Sequence, residues 1–139
     1  MKYIVYTDGG SRGNPGPAGC GVFIQSEDAS ISERRYKYLG IATNNIAEYT
    51  GGLLGIQRAI ELGATEMELR ADSKLMIEQL SGNYKVKNPE LKKIWTKIHE
   101  LISHWGGRIV FTHVYREDNI EADRLSNVAM DEGQGKIKN

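Results

Sequence analysis

The chain has 139 residues, 18 Lys and Arg against 18 Asp and Glu, and one cysteine. With 40% apolar and 26% charged residues it fits a single globular domain, not a disordered or membrane-spanning class. The lone Cys20 excludes an internal disulfide and a cysteine-based zinc site, and no apolar run reaches the roughly 20 residues of a bilayer span; the protein is expected to be cytoplasmic.

In chain order, residues 3–8 predict a β-branched and aromatic strand, cut by the turn-rich run from Gly9 to Pro17. Strands over 18–25 and 31–39 follow, with a short polar link, and the three should form an antiparallel meander. The period then changes. Ile46, Tyr49, Leu53, Ile56 and Ile60 recur every three or four residues, so 46–62 reads as a helix stopped by Gly63. Gly51, Gly52 and Gly55 inside it each weaken it by about 1 kcal/mol against Ala, a pattern that suits close packing on a neighbour.

Residues 66–71 predict a strand and 73–80 a short helix. Asn88 and Pro89 make an N-cap and first-turn pair for a long helix with the stripe Leu91, Ile94, Trp95, Ile98, Leu101, Ile102 and Trp105. A strand over 108–115 and a helix from Asn119 to about 130 complete a domain spanning 1–130. Residues 131–139 read as a loose polar tail. The expected fold class is α/β, a mixed five-stranded sheet flanked by helices. Its first strand is central, antiparallel to the second and parallel to the fourth, because the later strands connect through helices.

In such a sheet, ligands gather beyond the carboxyl ends of the parallel strands. Asp8 ends the first strand and Asp72 follows the fourth, while Glu48 and Asp123 fall in the first turns of two helices. Four acids aimed at one sheet edge would repel one another unless cations neutralised them. Oxygen donors without Cys or suitably spaced His favour Mg²⁺ or Mn²⁺, and two such ions about 3.5–4 Å apart suit in-line phosphodiester displacement. Each acid also has a plainer reading: Glu48 as half of a capping box with Asn45, Asp123 as a dipole-favoured helix residue, Asp8 as a turn former, Asp72 as a helix cap. Their coincidence at one edge favours the metal site. A nucleotide phosphate loop is disfavoured, since the glycine-rich run matches no such motif and leads into a strand.

The run Tyr6-Thr7-Asp8-Gly9-Gly10-Ser11, then Gly13-Asn14-Pro15-Gly16-Pro17-Ala18-Gly19, closely resembles the opening of type 1 ribonuclease H. So do Thr43-Asn44-Asn45-Ile46-Ala47-Glu48-Tyr49, Ala71-Asp72-Ser73 and Asn119-Ile120-Glu121-Ala122-Asp123. The resemblance covers about residues 2–130. It implies a metal-dependent endonuclease cutting the RNA strand of an RNA–DNA hybrid to 5′-phosphate and 3′-hydroxyl ends, with Asp8, Glu48, Asp72 and Asp123 on the family's metal-binding acids. It further implies backbone contacts to the RNA 2′-hydroxyl from Gly9, Gly10 and Ser11, side-chain contacts from Asn44 and Asn45, phosphate contacts from Asn14 and Thr43, and a substrate contact from Asn119.

Two departures from the family stand out. Residues 115–118 lack the histidine that many members carry in this loop, and Arg116 is the expected substitute, acting electrostatically on the leaving group or product phosphate. His113, within the preceding strand, reads as a paired structural residue. Longer members also insert a basic helix where this chain has only residues 81–88. Lys74, Lys85 and Lys87, with Tyr84 as a stacking residue, are the expected replacements, whereas Lys92, Lys93 and Lys97 read as a solvated face. A monomer acting on RNA–DNA hybrid is expected, with duplex RNA open as a second substrate. The rivals are a DNA-processing integrase or transposase core and a non-catalytic hybrid-binding module.

Overall fold

The structure is a computed structural model and describes residues 1–135. Five strands, β1 (Lys2–Ser11), β2 (Gly16–Ser26), β3 (Ser32–Ala42), β4 (Glu66–Ala71) and β5 (Arg108–His113), form one sheet in the order β3-β2-β1-β4-β5. β1 is antiparallel to β2 and parallel to β4, and β4 is parallel to β5. This is the mixed sheet the connections dictate, with β1 at its centre.

Helices α1 (Asn44–Glu61), α2 (Lys74–Leu80), α3 (Pro89–Trp105) and α4 (Ile120–Gly133) cover the sheet, with a single 3-10 turn at Arg116–Asp118. α1 lies on β1 and β2 and packs against α3, while α4 lies on β1, β2 and β3. The core of Val5, Val22, Ile24, Tyr49, Ile56, Met67, Leu69 and Ile98 fills the space beneath α1 and α3. Among the described residues, no helix is long and apolar enough to cross a membrane.

The helix glycines act as their spacing implied at two of three positions. A Cβ on Gly55 would lie 2.8 Å from Val5 Cγ1 and 2.9 Å from Thr7 Cγ2, and one on Gly51 would lie 3.1 Å from the Asp8 carbonyl oxygen. Gly52 instead faces Met76 at ordinary contact distance. Other boundaries shift. Gly9, Gly10 and Ser11 are strand, not turn, because they pair with Cys20, Gly19 and Ala18 of β2. β5 ends at His113, two residues before the expected boundary. α4 continues past residue 130, held at its end by Arg12, whose guanidinium donates to Asp131 at 2.6 Å and Gln134 at 2.7 Å. Part of the expected tail is therefore helix, and residues 136–139 lie outside the described residues.

Candidate active site

Parallel pairing of β1 with β4 ends at Thr7 opposite Ala71. Asp8 and Asp72 are the next residue on each chain, so two carboxylates leave the sheet side by side at the carboxyl edge of the parallel strands. α1 crosses β1 with so little clearance that a Cβ on Gly9 would overlap the backbone of Ala47 and Glu48. That approach brings the Glu48 carboxylate onto the Gly9 N–H, which also donates to Asp8 Oδ1 at 2.9 Å. Oxygens of Asp8, Glu48 and Asp72 lie within 4.8 Å of one another. Asp123, in the first turn of α4, stands on the same cleft of about 610 Å³. Arg116 Nη2 lies 3.7 Å from its Oδ1.

The electrostatics follow from burial. Asp8 and Glu48 are each only 7% exposed. Burial, reinforced by the charges of Asp72 and Asp123, pushes the Asp8 carboxyl up to about 7, although a hydrogen bond with Glu48 works in the opposite direction. Glu48 is raised well above the ordinary carboxylate range by burial first and then by Asp8 and Asp72. Three hard oxygen donors close enough for one cation to touch, and mutually repelling without it, fit a divalent ion.

A stability consequence follows for the metal-free protein. Between about pH 4 and about pH 7 the folded state holds a proton on Asp8 that the unfolded chain has released, so stability falls as pH rises through that window. The decline is expected to reach a few kcal/mol, to shrink when Mg²⁺ replaces EDTA, and to become shallower in Asp8→Asn, where the buried Glu48 still contributes a share of its own. Thermal melts from pH 4 to 8 measure it; an equal slope in Asp8→Asn contradicts the stated origin.

The plainer readings of three acids are corrected. Thr43, not Asn45, caps α1, its hydroxyl accepting from Ile46 N at 3.2 Å, and Glu48 turns to β1 instead of closing a capping box. Ser73, not Asp72, caps α2. Asp8 lies within a continuing strand, not in a turn.

The residues expected to meet substrate divide into groups. Gly9, Gly10, Ser11, Asn44, Asn45 and Arg116 line the cleft with the four acids. The N–H groups of Gly9 and Ser11 are already committed, to Glu48 and Asp8 and to Asn44 Oδ1 at 2.7 Å respectively. Asn14 accepts from Asn44 N at 3.1 Å and fixes the start of α1; neither it nor Thr43 lines the cleft.

Asn119 departs from its expected role. It is 1% exposed, and its amide donates to the Thr7 carbonyl at 2.9 Å. It ties the entrance of α4 to the residue before Asp8, and its burial removes it from direct contact with a substrate. Lys74 is exposed at the start of α2 and does not line the cleft. Tyr84, Lys85 and Lys87 line a separate groove with Lys92 and Trp95, and this continues past Lys87 and Lys92 to Lys93 and Lys97. Of the three lysines read as a solvated face, all exposed, Lys92 lines both cavities, while Lys93 and Lys97 line only the adjoining one, beside Glu100.

His113 is also corrected. It is the exposed last residue of β5, lines the cleft, and meets the Tyr115 ring edge-on at 5.8 Å. Arg12, Ser73, Tyr115 and Asn127 line the cleft without having been singled out. Asn127 was within reach of pattern reasoning, four residues beyond Asp123 and so one turn along the same helix face, as was Ser126, three residues beyond it.

Comparison with known proteins agrees with this geometry. The model of the family described as reverse transcriptase-like matches residues 6–129. The bifunctional protein Rv2228c of Mycobacterium tuberculosis is 47% identical over 132 residues, covering 94% of this chain and 36% of that protein. The chain thus spans about a third of that relative's length. Ribonuclease H of Rickettsia typhi is 32% identical over 143 residues, covering 90% of this chain and 88% of that protein. The crystal structure of LC11-RNase H1 in complex with RNA/DNA hybrid superposes with a TM-score of 0.89 at 40% identity, over 95% of this chain and 99% of that one. The motif resemblance is thereby borne out along the chain's length, and a likeness that covers nearly all of a ribonuclease H in both sequence and fold makes this chain a member of the ribonuclease H family.

Proposed function

We propose that the protein is an endonuclease that hydrolyses the RNA strand of RNA–DNA hybrids, leaving 5′-phosphate and 3′-hydroxyl ends, as a cytoplasmic monomer. The observation that carries this reading is the convergence of Asp8, Glu48 and Asp72 at one sheet edge, with Asp123 on the same cleft. Asp8, Glu48, Asp72 and Asp123 would hold two Mg²⁺ or Mn²⁺ ions, which when bound supply an activated water and neutralise charge developing on the phosphate.

The chain's own residues do the rest. Asn44 and Asn45 line the cleft beside the acids and present amides suited to a ribose hydroxyl. Arg116, 79% exposed on its side chain and beside Asp123, is free to turn to the scissile or product phosphate. The groove of Tyr84, Lys85, Lys87 and Lys92 receives the backbone of the hybrid away from the cut, and Lys74, exposed two residues after Asp72, adds a further cation for a phosphate. Asn14, Thr43 and Asn119 act through the backbone they hold.

End-labelled RNA–DNA hybrid, duplex RNA, duplex DNA and single-stranded RNA, incubated with Mg²⁺, Mn²⁺ or EDTA, test the proposal. Cleavage of the hybrid's RNA strand is expected with a divalent ion and none with EDTA. Absence of metal-dependent hybrid cleavage would sink the reading. Cleavage of duplex RNA, which shares the A-form shape, would widen the substrate class.

A further inference from the structure

Residues 81–88 join α2 to α3 without forming helix or strand, yet the stretch 83–88 within them carries Tyr84, Lys85 and Lys87. Few bonds hold this segment. The N–H groups of Asn83 and Tyr84 both donate to the Glu78 carbonyl, at 2.9 and 3.2 Å, and Val86 is the residue that packs onto the core. Between Tyr84 and Val86 the hold passes to a buried side chain: Gln79 Nε2 donates to the Lys85 carbonyl at 3.2 Å.

Gln79 is 6% exposed on a face of α2 otherwise filled by Met76, Ile77 and Leu80. A buried amide in apolar surroundings is unfavourable unless its donors and acceptor are used. Here both ends are used. The Lys85 carbonyl can only accept, so the amide nitrogen must face it, and Oε1 receives the Tyr49 hydroxyl at 2.5 Å. The Gln79 backbone carbonyl also accepts from Trp95 Nε1 at 3.0 Å. One residue thus joins α1, α2, α3 and the lysine-bearing segment, and its partner on α1 is the neighbour of Glu48.

We infer that Gln79 is a positioning residue, fixing the segment 84–87 relative to α1 so that the lysines meet the hybrid backbone in register with the carboxylates. Gln79 lies at the floor of that groove, only 6% exposed, with both ends of its amide already bonded within the protein, so it acts through the segment it holds. This inference rests on the proposal that the lysine groove grips the hybrid. Without the amide, Lys85 and Lys87 keep their charge but lose their fixed placement, so binding should weaken while the chemistry of bound substrate is unchanged.

The test is steady-state hybrid cleavage and hybrid binding across a salt series for Gln79→Leu and Tyr49→Phe. KM is expected to rise about fivefold in Gln79→Leu and less in Tyr49→Phe, with kcat within about twofold of wild type, and the slope of log affinity against log salt to become shallower by about one. A merely structural role would lower the melting temperature and leave the salt slope untouched. If Gln79→Leu fails to fold, Tyr49→Phe, which keeps its ring in the core, reads the same quantities. Wild-type KM and salt slope in a folded variant overturn the inference. The double substitution Lys85→Ala, Lys87→Ala separates the two levels. A shallower slope there but not in Gln79→Leu removes the Gln79 role alone. An unchanged slope there removes the grip and the Gln79 role together, while metal-dependent cleavage stands.

Discussion

Asp8→Asn and Asp72→Asn are each expected to lower kcat/KM on RNA–DNA hybrid by about 10³-fold or more, the scale of removing a group that stabilises transition-state charge, with the fold intact. The amide keeps the shape of the carboxylate and deletes its charge. Asp8, Glu48 and Asp72 form a trio whose oxygens share one small volume, so deleting one leaves too little negative charge to hold a divalent ion in place. The same deletion relieves repulsion at a buried site, where the Asp8 carboxyl is already pushed up to about 7. The metal-free Asp8→Asn protein should therefore melt no lower than wild type at pH 8. Loss of activity without loss of stability separates a functional acid from a structural one. Asp123, with a side chain 32% exposed and standing outside the tight trio, should lose least as Asn. Near-wild-type turnover in Asp8→Asn or Asp72→Asn with either metal would contradict the assignment.

Gly9→Ala is expected to cost about 3 kcal/mol or more, the upper range for overpacking, and roughly 10 °C in Tm for a domain of this size. The obstacle is backbone, since the new methyl would land on the Ala47 carbonyl and the Glu48 N–H. A side chain can change rotamer; a helix must move bodily. As α1 retreats from β1, the hydrogen bond from Gly9 N to Glu48 stretches, so activity should fall together with stability. Gly52→Ala on the same helix is the control. Its methyl would lie 3.7 Å from Met76 Sδ, an ordinary contact, and the gain in helix propensity is up to about 1 kcal/mol. Thermal melts and hybrid cleavage of both variants decide the matter, and a Gly9→Ala protein as stable as the Gly52→Ala one would refute the close approach.

The sheet order and the four acids were legible because both depend on short-range pattern. Alternation and helical period define the elements, right-handed crossovers place β4 beside β1, and a strand-end acid followed through parallel register leads from Asp8 to Asp72. What stayed hidden depends on which way one side chain turns. Asn119 has the residue type and position of a ligand contact, and only its bond to the Thr7 carbonyl reveals it as buried. His113 lies two residues beyond the core-facing Phe111 on the same face of the strand, and it is exposed where β5 ends. Arg12 sits in a turn without periodicity, and its partners Asp131 and Gln134 lie more than a hundred residues along the chain. Gln79 looks in sequence like any polar helix residue. Its importance appears only with the three elements that meet around it.

The four acids belong to β1, α1, the end of β4 and α4, stretches drawn from almost the whole chain. No fragment shorter than about positions 8 to 72 contains even the trio. Affinity for the ion is therefore a property of global folding, and its binding free energy is linked to the unfolding equilibrium as a whole. An ion at a hundred times its dissociation constant shifts that equilibrium by about 2.7 kcal/mol. In a chain so organised, an ion bound for the proposed chemistry would at the same time shrink the fraction of molecules that stand unfolded at any moment.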